Sequence, residues 1–513
     1  MRRLCLAGLL LASACASSPL KPADATALVE ADAKVLQGCY DCLLEARTTY
    51  ARVAVGKARP LVIARLFETD LLITLREREL ALDSSKALGE AQTVAKELPP
   101  TFGSERILAM VDGVPGDDLG WTHRETNAWR RAHVDFSPKV NDELQWLATS
   151  SLSPPVRTYL NLAVDCAYPY RTRPNGSVRM SLPDLPSDAP PLIVYRQAIC
   201  VNASLALLTK VRDEVPRFVE TGYFLSRAAL VNVRRTGGGN ARQWLGEAYK
   251  RFPMSPSVTY LTGNFNQLVG DCRAAITFYD DTLVFKPEHE NALLGRTICL
   301  TYLKQTDEAI AEATHMIEIR TDNIDLAYYY RAWNYHSRQQ LDLARADIET
   351  AKRTHVSSDI LTLAGMIEHD QNDLGPAEKD LLGARDMSSL NCVAMWYLGL
   401  VMIKKEDWIA SGKQFEDAMG CYETSVKDDE DGLREMQNRT DVDEDFRTRQ
   451  IAGFEAALTE DRSHQYAAAF NAANQYAHGG NVAKARALVD VAARDPALAA
   501  LVADLKRIIG GTM

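Results

Sequence analysis

The chain has 513 residues, 46% of them hydrophobic, and carries 58 Lys and Arg against 68 Asp and Glu, a net charge of −10. That length is more than one ordinary core can hold and requires several domains or a repeat array. The acidic balance is unsuited to nucleic acid, whose phosphates call for clustered Lys and Arg.

The chain opens MRRLCLAGLLLASACASS, with two arginines, an apolar run from Leu4 to Ala12 and small residues leading into Cys15. This is a secretory signal layout, too short to span a bilayer as a mature helix, and no later stretch approaches the roughly 20 apolar residues a span needs. The piece LASAC resembles the bacterial lipoprotein box. That resemblance implies cleavage before Cys15, acylation of its thiol and its new amino group, and a permanent membrane anchor, since each buried methylene contributes about 0.8 kcal/mol. Ala16 after the cysteine, rather than an aspartate, implies the outer membrane. An ordinary signal peptide cut after Ala16 is the alternative. The lipoprotein reading makes residues 1–14 the signal and 15–24 a linker, and leaves 56 basic against 68 acidic residues, about −12.

Residues 25–98 suit two helix pairs, a degenerate version of the periodic pattern that begins at residue 216. Within them lies GCYDCLL, which places Cys39 and Cys42 three residues apart. A haem attachment would need histidine after Cys42, where Leu43 stands; a zinc site would need a second paired motif. A thioredoxin-like pair needs a strand before it, whereas both flanks here read as helix. Cys39, Cys42 or Leu43, Ala46, Tyr50 and Val53 instead trace one apolar stripe at helical spacing. Packing is therefore the expectation, with a local disulfide or a redox or metal role as alternatives. Beyond Cys5 and Cys15, eight cysteines in so long a chain read as too sparse for a disulfide-stapled scaffold.

Residues 99–215 are irregular and mainly helical, with Pro/Gly-rich loops such as GVPGDDLGW and LPDLPSDAPP, and PNGS as a tight turn able to close a hairpin. No chemistry is assigned to this stretch, although long loops often carry function.

From 216 to 422 the text becomes periodic. A small residue in one helix is followed twelve residues later by a small residue in the next, then by a bulky and another small residue. Gly263 leads to Ala275, Tyr279, Thr282 and Pro287; Thr297 to Ala309, Ala313 and Met316; Ala332 to Ala344, Ile348 and Ala351. Gly365 leads to Ala377, Leu381 and Ala384; Gly399 to Ser411, Phe415 and Ala418; and, upstream, Ala229 to Ala241, Leu245, Ala248 and Pro253. The leading residues stand at 229, 263, 297, 332, 365 and 399, in steps of 34, 34, 35, 33 and 34. This resembles the tetratricopeptide repeat, a helix pair of 34 residues with small, aromatic and proline signature positions. The resemblance implies an all-α fold, an α-solenoid built as a right-handed superhelix of helix hairpins. Thr297 and Ser411 depart from the small-residue pattern. Residues 423–464 read as a charged helical hairpin inserted before the last repeat. Asp441, Asp443 and Asp445 alternate like a calcium loop, but Phe446 replaces the turn glycine and Ala452 the bidentate glutamate. Residues 465–513 repeat the signature through Ala473, Tyr476, Ala485, Val489 and Ala492, and close with a capping helix.

Motifs of catalysis are wanting. There is no H-E-x-x-H, G-x-S-x-G or G-x-x-x-x-G-K-[ST], and the nine histidines show no metal-ligand spacing. Gly237 to Gly239 in RRTGGGNA fall between paired helices, where glycine makes the turn. No catalytic residue, metal, cofactor or small-molecule substrate is expected. What the resemblance implies is a concave groove lined by first helices, to which Tyr260, Asn264, Gln267, Asn291, Tyr302, Tyr329, Trp333, His336, Met366, His369 and Trp396 correspond. Aromatic and methionine side chains on an open groove are typical of interface hot spots; Trp333 and Trp396 would be core residues if the register slipped by one. The carboxylate clamp of some family members is not matched, for Ser226 stands where its first lysine belongs. The expectation is a membrane-anchored scaffold facing the periplasm that binds a protein or peptide in envelope assembly, secretion or cell-wall maintenance. The rival is an envelope enzyme or redox protein using Cys39 and Cys42 or the 99–215 segment.

Overall fold

In the computed structural model the described residues are 20–117, 128, 139–168, 185–200, 204–230, 240–442 and 444–511. Cys15, the PNGS turn, Gly237 to Gly239 and Asp443 lie outside them. The described residues contain helices and no strand, and none of these helices is long and apolar enough to cross a membrane. The chain divides into two compact units, one of residues 1–231 and 243–258, the other of 232–242 and 259–513.

The first unit begins with α1 (Pro22–Gln37), α2 (Tyr40–Val53), α3 (Arg59–Glu79) and α4 (Ser85–Ala95), each packed on the next. It continues through α5 (Ser104–Asp112), α6 (Val140–Leu147), α7 (Pro154–Ala167), α8 (Pro191–Cys200), α9 (Leu205–Glu214) and α10 (Glu220–Ala229). Gly38 turns the chain between α1 and α2 at φ 74°, and a Cβ there would come within 2.8 Å of Leu192, so only glycine fits. The stripe Cys42, Leu43, Ala46, Tyr50 and Val53 is buried, as the apolar spacing predicts.

The centre of this unit holds a buried ion network that no repeat pattern announces. Arg76 is fully buried; its Nε lies 3.0 Å from Glu79, its Nη1 donates to Glu220 at 2.9 Å, and its guanidinium stacks 4.0 Å over the Tyr195 ring. Glu79 also accepts from the Tyr159 hydroxyl at 2.7 Å and from Arg196 at 2.8 Å. One charge left alone in such a place costs several kcal/mol, so the arginines and glutamates are stable only together.

The boundary between the units runs within α11 (Ala241–Arg251) and α12 (Pro256–Leu268). The second unit then proceeds through hairpins: α13 (Cys272–Phe285), α14 (Glu290–Tyr302), α15 (Thr306–Glu318), α16 (Ile324–Ser337), α17 (Leu341–Thr354), α18 (Ser358–Asp370), α19 (Leu374–Met387) and α20 (Cys392–Lys404). From α13 on, each helix packs on its successor. The signature positions are the core. Ala275, Ala309, Ala313, Ala344, Ala351, Ala377, Ala384, Ser411 and Ala418 are all fully buried. The leading small residue meets the bulky one of its own repeat: a Cβ on Gly263 would lie 2.8 Å from Tyr279, on Gly399 2.8 Å from Phe415. That contact explains the pattern, since a large residue at both places would wedge the hairpin apart.

The turns repeat as faithfully. Gly270, Lys304, Gln339, Asn372, Glu406 and Gly480 all adopt positive φ at the end of a first helix. At each, paired backbone bonds close the helix end; Lys304 N–H donates to Thr301 O at 3.0 Å and Gln305 N–H to Leu300 O at 2.9 Å. The next residue caps the second helix, as Asp271, Asp407 and Asn481 do through their side chains. The charged stretch 423–464 lies in a helical hairpin continuous with its neighbours: α21 (Trp408–Asn438) and α22 (Glu444–His478) are two long helices packed together. The last hairpin pairs α22 with α23 (Val482–Ala492), and α24 (Ala499–Gly511) closes the stack with Val502, Leu505 and Ile509 buried.

One expectation is overturned. The eight cysteines are cross-linked rather than dispersed: Cys39–Cys42, Cys166–Cys200, Cys272–Cys299 and Cys392–Cys421 form disulfides. The last three join neighbouring helices, which lie close enough to leave Cα–Cα distances of 5.0–5.4 Å. Each of these bonds encloses 27–34 residues, a loop whose closure stabilises by about 3–4 kcal/mol. Sparseness along the chain was a poor guide, because the packing of neighbouring helices brings residues 27–34 positions apart into contact.

Candidate functional site

A cleft of the second unit opens among the first helices α14, α16 and α18 and the start of α20, with a volume of about 790 Å³. Four aromatic side chains furnish it: Tyr302, Tyr329, Tyr330 and Trp333. Tyr302 is 77% exposed and Trp333 39%, whereas large aromatics are normally driven inside. Tyr329 and Tyr330 are held at an angle, with ring centres 5.0 Å apart, and Trp333 leans on Tyr329 at 6.3 Å. Burial pushes the Tyr330 phenol up to about 12 and Tyr329 further, so both stay neutral.

Polar groups border the rings. Asn334 Nδ2 donates to Thr301 Oγ1 and to Tyr330 O, each at 2.8 Å. Asn391 caps α20 by accepting from Ala394 N–H at 2.9 Å and donates to Ser358 and Thr362 at 2.8 and 2.6 Å. These bonds fix the cleft wall. Lys304 and Asp359 place one charge of each sign on it. Nothing in the lining provides a nucleophile beside a base; the arrangement suits contact with an apolar or aromatic segment that also offers backbone carbonyls.

Of the residues singled out from the sequence, the cleft gathers Tyr302, Tyr329, Trp333 and Met366. The others stand elsewhere. Tyr260 is half-buried against the His289 ring at 4.7 Å, and Gln267 accepts from the Tyr279 hydroxyl at 2.5 Å. Asn264 and Asn291 are half-buried on α12 and α14, outside the cleft lining. His336 and His369 both meet Asp370, at 2.9 Å each, and His369 also packs edge-on to Tyr397. Trp396 packs edge-on to Phe415 at 5.3 Å and beside His464 of α22. Tyr330, Asn334, Asp359 and Asn391 were missed. Tyr330 and Asn334 each follow a named residue by one place, so a wider helical face would have included them.

Cys39 and Cys42 are wholly buried, with the Cys39 sulfur accepting from Cys42 N–H at 3.0 Å as the cap of α2. Buried, cross-linked sulfurs offer no thiolate to a substrate.

Neither a protein-family model nor a curated protein matches the chain. Solved structures similar to it include a chain of the APC/C hetero-tetramer Cut9-Hcn1, at 13% identity, covering 94% of this chain and 95% of that one, with a TM-score of 0.41. A tetratricopeptide repeat protein from Parabacteroides merdae is 19% identical over 54% of this chain and 98% of its own, with a TM-score of 0.31. YrrB, a TPR protein with an unusual peptide-binding site, is 16% identical over 51% and 97%, with a TM-score of 0.26. The type of repeat rests on the chain's own packing, in which every small signature position from Gly263 to Ala418 is buried at a helix crossing. The fold is that of tetratricopeptide repeats.

Proposed function

We propose that this protein is a non-enzymatic scaffold that holds a segment of a protein partner in the cleft of its tetratricopeptide repeats. It is tethered through lipidated Cys15 to a bacterial envelope membrane, the outer one, and faces the periplasm, where it serves envelope assembly, secretion or cell-wall maintenance. The observation that carries the reading is the cluster of Tyr302, Tyr329, Tyr330 and Trp333 in one cleft, with Tyr302 and Trp333 exposed to solvent. Rigid aromatic side chains supply much contact area at little entropic cost and dominate interface energetics. The four disulfides support the location, because such bonds persist in oxidising compartments. The rival enzymatic reading through Cys39 and Cys42 has buried sulfurs against it. The test is an in-cell photo-crosslinker at Tyr302, compared between the wild-type background and one carrying Tyr329→Ala and Trp333→Ala. A discrete adduct that disappears in the double variant supports the reading; an adduct indifferent to both changes refutes it.

A further inference from the structure

Behind the cleft, α17, α18 and α19 bring three carboxyl groups together. One oxygen from each of Glu349, Glu368 and Asp380 lies within 4.8 Å of the others. Glu368 is 2% exposed and Asp380 7%, so two of the three are removed from water. One cation stands among them: the Lys352 ammonium donates to Glu349 at 3.0 Å and to Asp380 at shorter range. Lys352 thus satisfies two acids and leaves the third. Glu368 Oε2 is buried with no hydrogen-bond partner. The next cation, Arg345, is drawn away to Gln371 and Asp373, at 2.9 and 2.7 Å.

A buried carboxylate oxygen with no donor, beside two further acids, is costly, and the least costly remedy is a proton. We propose that Glu349, Glu368 and Asp380, bridged by Lys352, form a proton-operated lock between α17, α18 and α19, closed while the Glu368 carboxyl is neutral and loosened when it ionises. Burial and then the Asp380 charge push the Glu368 carboxyl up to about 7, which agrees with the geometry. The charged groups facing it are Arg345, Glu349 and Lys352 from α17 and Asp380 from α19. On α18 itself the neighbouring Asp370 is engaged by His336 of α16 and by His369, and Lys404 of α20 donates to the His369 carbonyl at 2.7 Å.

The link to the cleft is α18. Glu368 points toward the acid cluster, while Thr362 and Met366 of the same helix line the cleft. The folded state holds a proton that the unfolded chain releases at an ordinary glutamate value. The lock therefore contributes fully below that range, weakens as pH rises, and is lost above about pH 7. This inference rests on the cleft being the binding site only for its consequence, which is partner affinity that falls across neutrality.

The test needs no partner, so its failure and the failure of the scaffold reading are distinguishable. Amide hydrogen exchange over residues 341–387 is compared between wild type and Glu368→Gln at pH 5.5 and at pH 8.0. Comparison at one pH cancels the intrinsic exchange chemistry. The proposal expects equal protection at pH 5.5 and several-fold faster exchange in the wild type at pH 8.0. A ratio that is the same at both pH values overturns it. If Glu368→Gln does not fold, carbon-13 NMR titration of the wild-type Glu368 carboxyl decides instead: a midpoint near 7 is expected, and one in the ordinary glutamate range overturns the lock. Calcium or magnesium chloride restoring wild-type protection at pH 8.0 also overturns it, in favour of a cation site.

Discussion

The turn between paired helices offers the sharpest quantitative test of the repeat frame. Lys304, Gln339 and Glu406 adopt φ of 58°, 61° and 60°, where Gly270 and Gly480 serve the equivalent turns. A residue with a Cβ pays about 1–2 kcal/mol to enter this left-handed region. Glycine avoids that cost but loses about 0.5–1 kcal/mol more backbone entropy on folding. Each replacement by glycine is therefore expected to stabilise by about 0.5–1 kcal/mol, and the three together by about 1.5–3 kcal/mol, because the turns share no partners. Asn372, at φ 64°, supplies the control. Asparagine tolerates this conformation, so Asn372→Gly should change stability by only a few tenths of a kcal/mol. The assay is urea denaturation of the full chain followed by circular dichroism. A loss of stability in Lys304→Gly, Gln339→Gly and Glu406→Gly, or a gain in Asn372→Gly as large as theirs, would refute the assignment of these residues to the helix end.

Three further outcomes follow from packing and from the buried ion network. Gly399→Ala should destabilise by about 1–3 kcal/mol despite alanine's better helix propensity, because its Cβ would meet the buried Phe415 ring at 2.8 Å; Gly420→Ala, with nothing within 4 Å, should instead stabilise by about 0.5–1 kcal/mol. Arg76→Met should cost about 3–5 kcal/mol by calorimetry, since it leaves Glu220 buried without its 2.9 Å partner.

How much was legible in the sequence differs between the two units for a physical reason. In the second, each repeat buries its leading small residue against the bulky residue of its own second helix, so the spacing of Gly263, Thr297, Ala332, Gly365 and Gly399 is itself the packing rule. In the first, the core is organised around Arg76, Glu79, Arg196 and Glu220, residues 144 apart at the extreme, and no local period encodes that meeting. The disulfides were missed because sequence spacing alone does not say which helices pack together: the three inter-helix pairs stand 27–34 residues apart on neighbouring helices. At the cleft, the groove positions implied by the repeat resemblance included Tyr302, Tyr329, Trp333 and Met366. It could not foresee that α22 would run on long enough to bring His464 against Trp396, because helix length there depends on a charged hairpin with no repeat signature.

The most direct measurement of the central claim is a photo-crosslinking comparison in the living cell, with the reactive group placed in turn at Tyr302, in the cleft, and at Leu343, exposed on the second helix α17. A discrete protein adduct from Tyr302 that is absent from Leu343, and that is lost when Tyr329 and Trp333 become alanine in a chain that still folds, is the predicted result. Adducts of equal yield from both positions, or an adduct at Tyr302 that survives the double substitution, would contradict it.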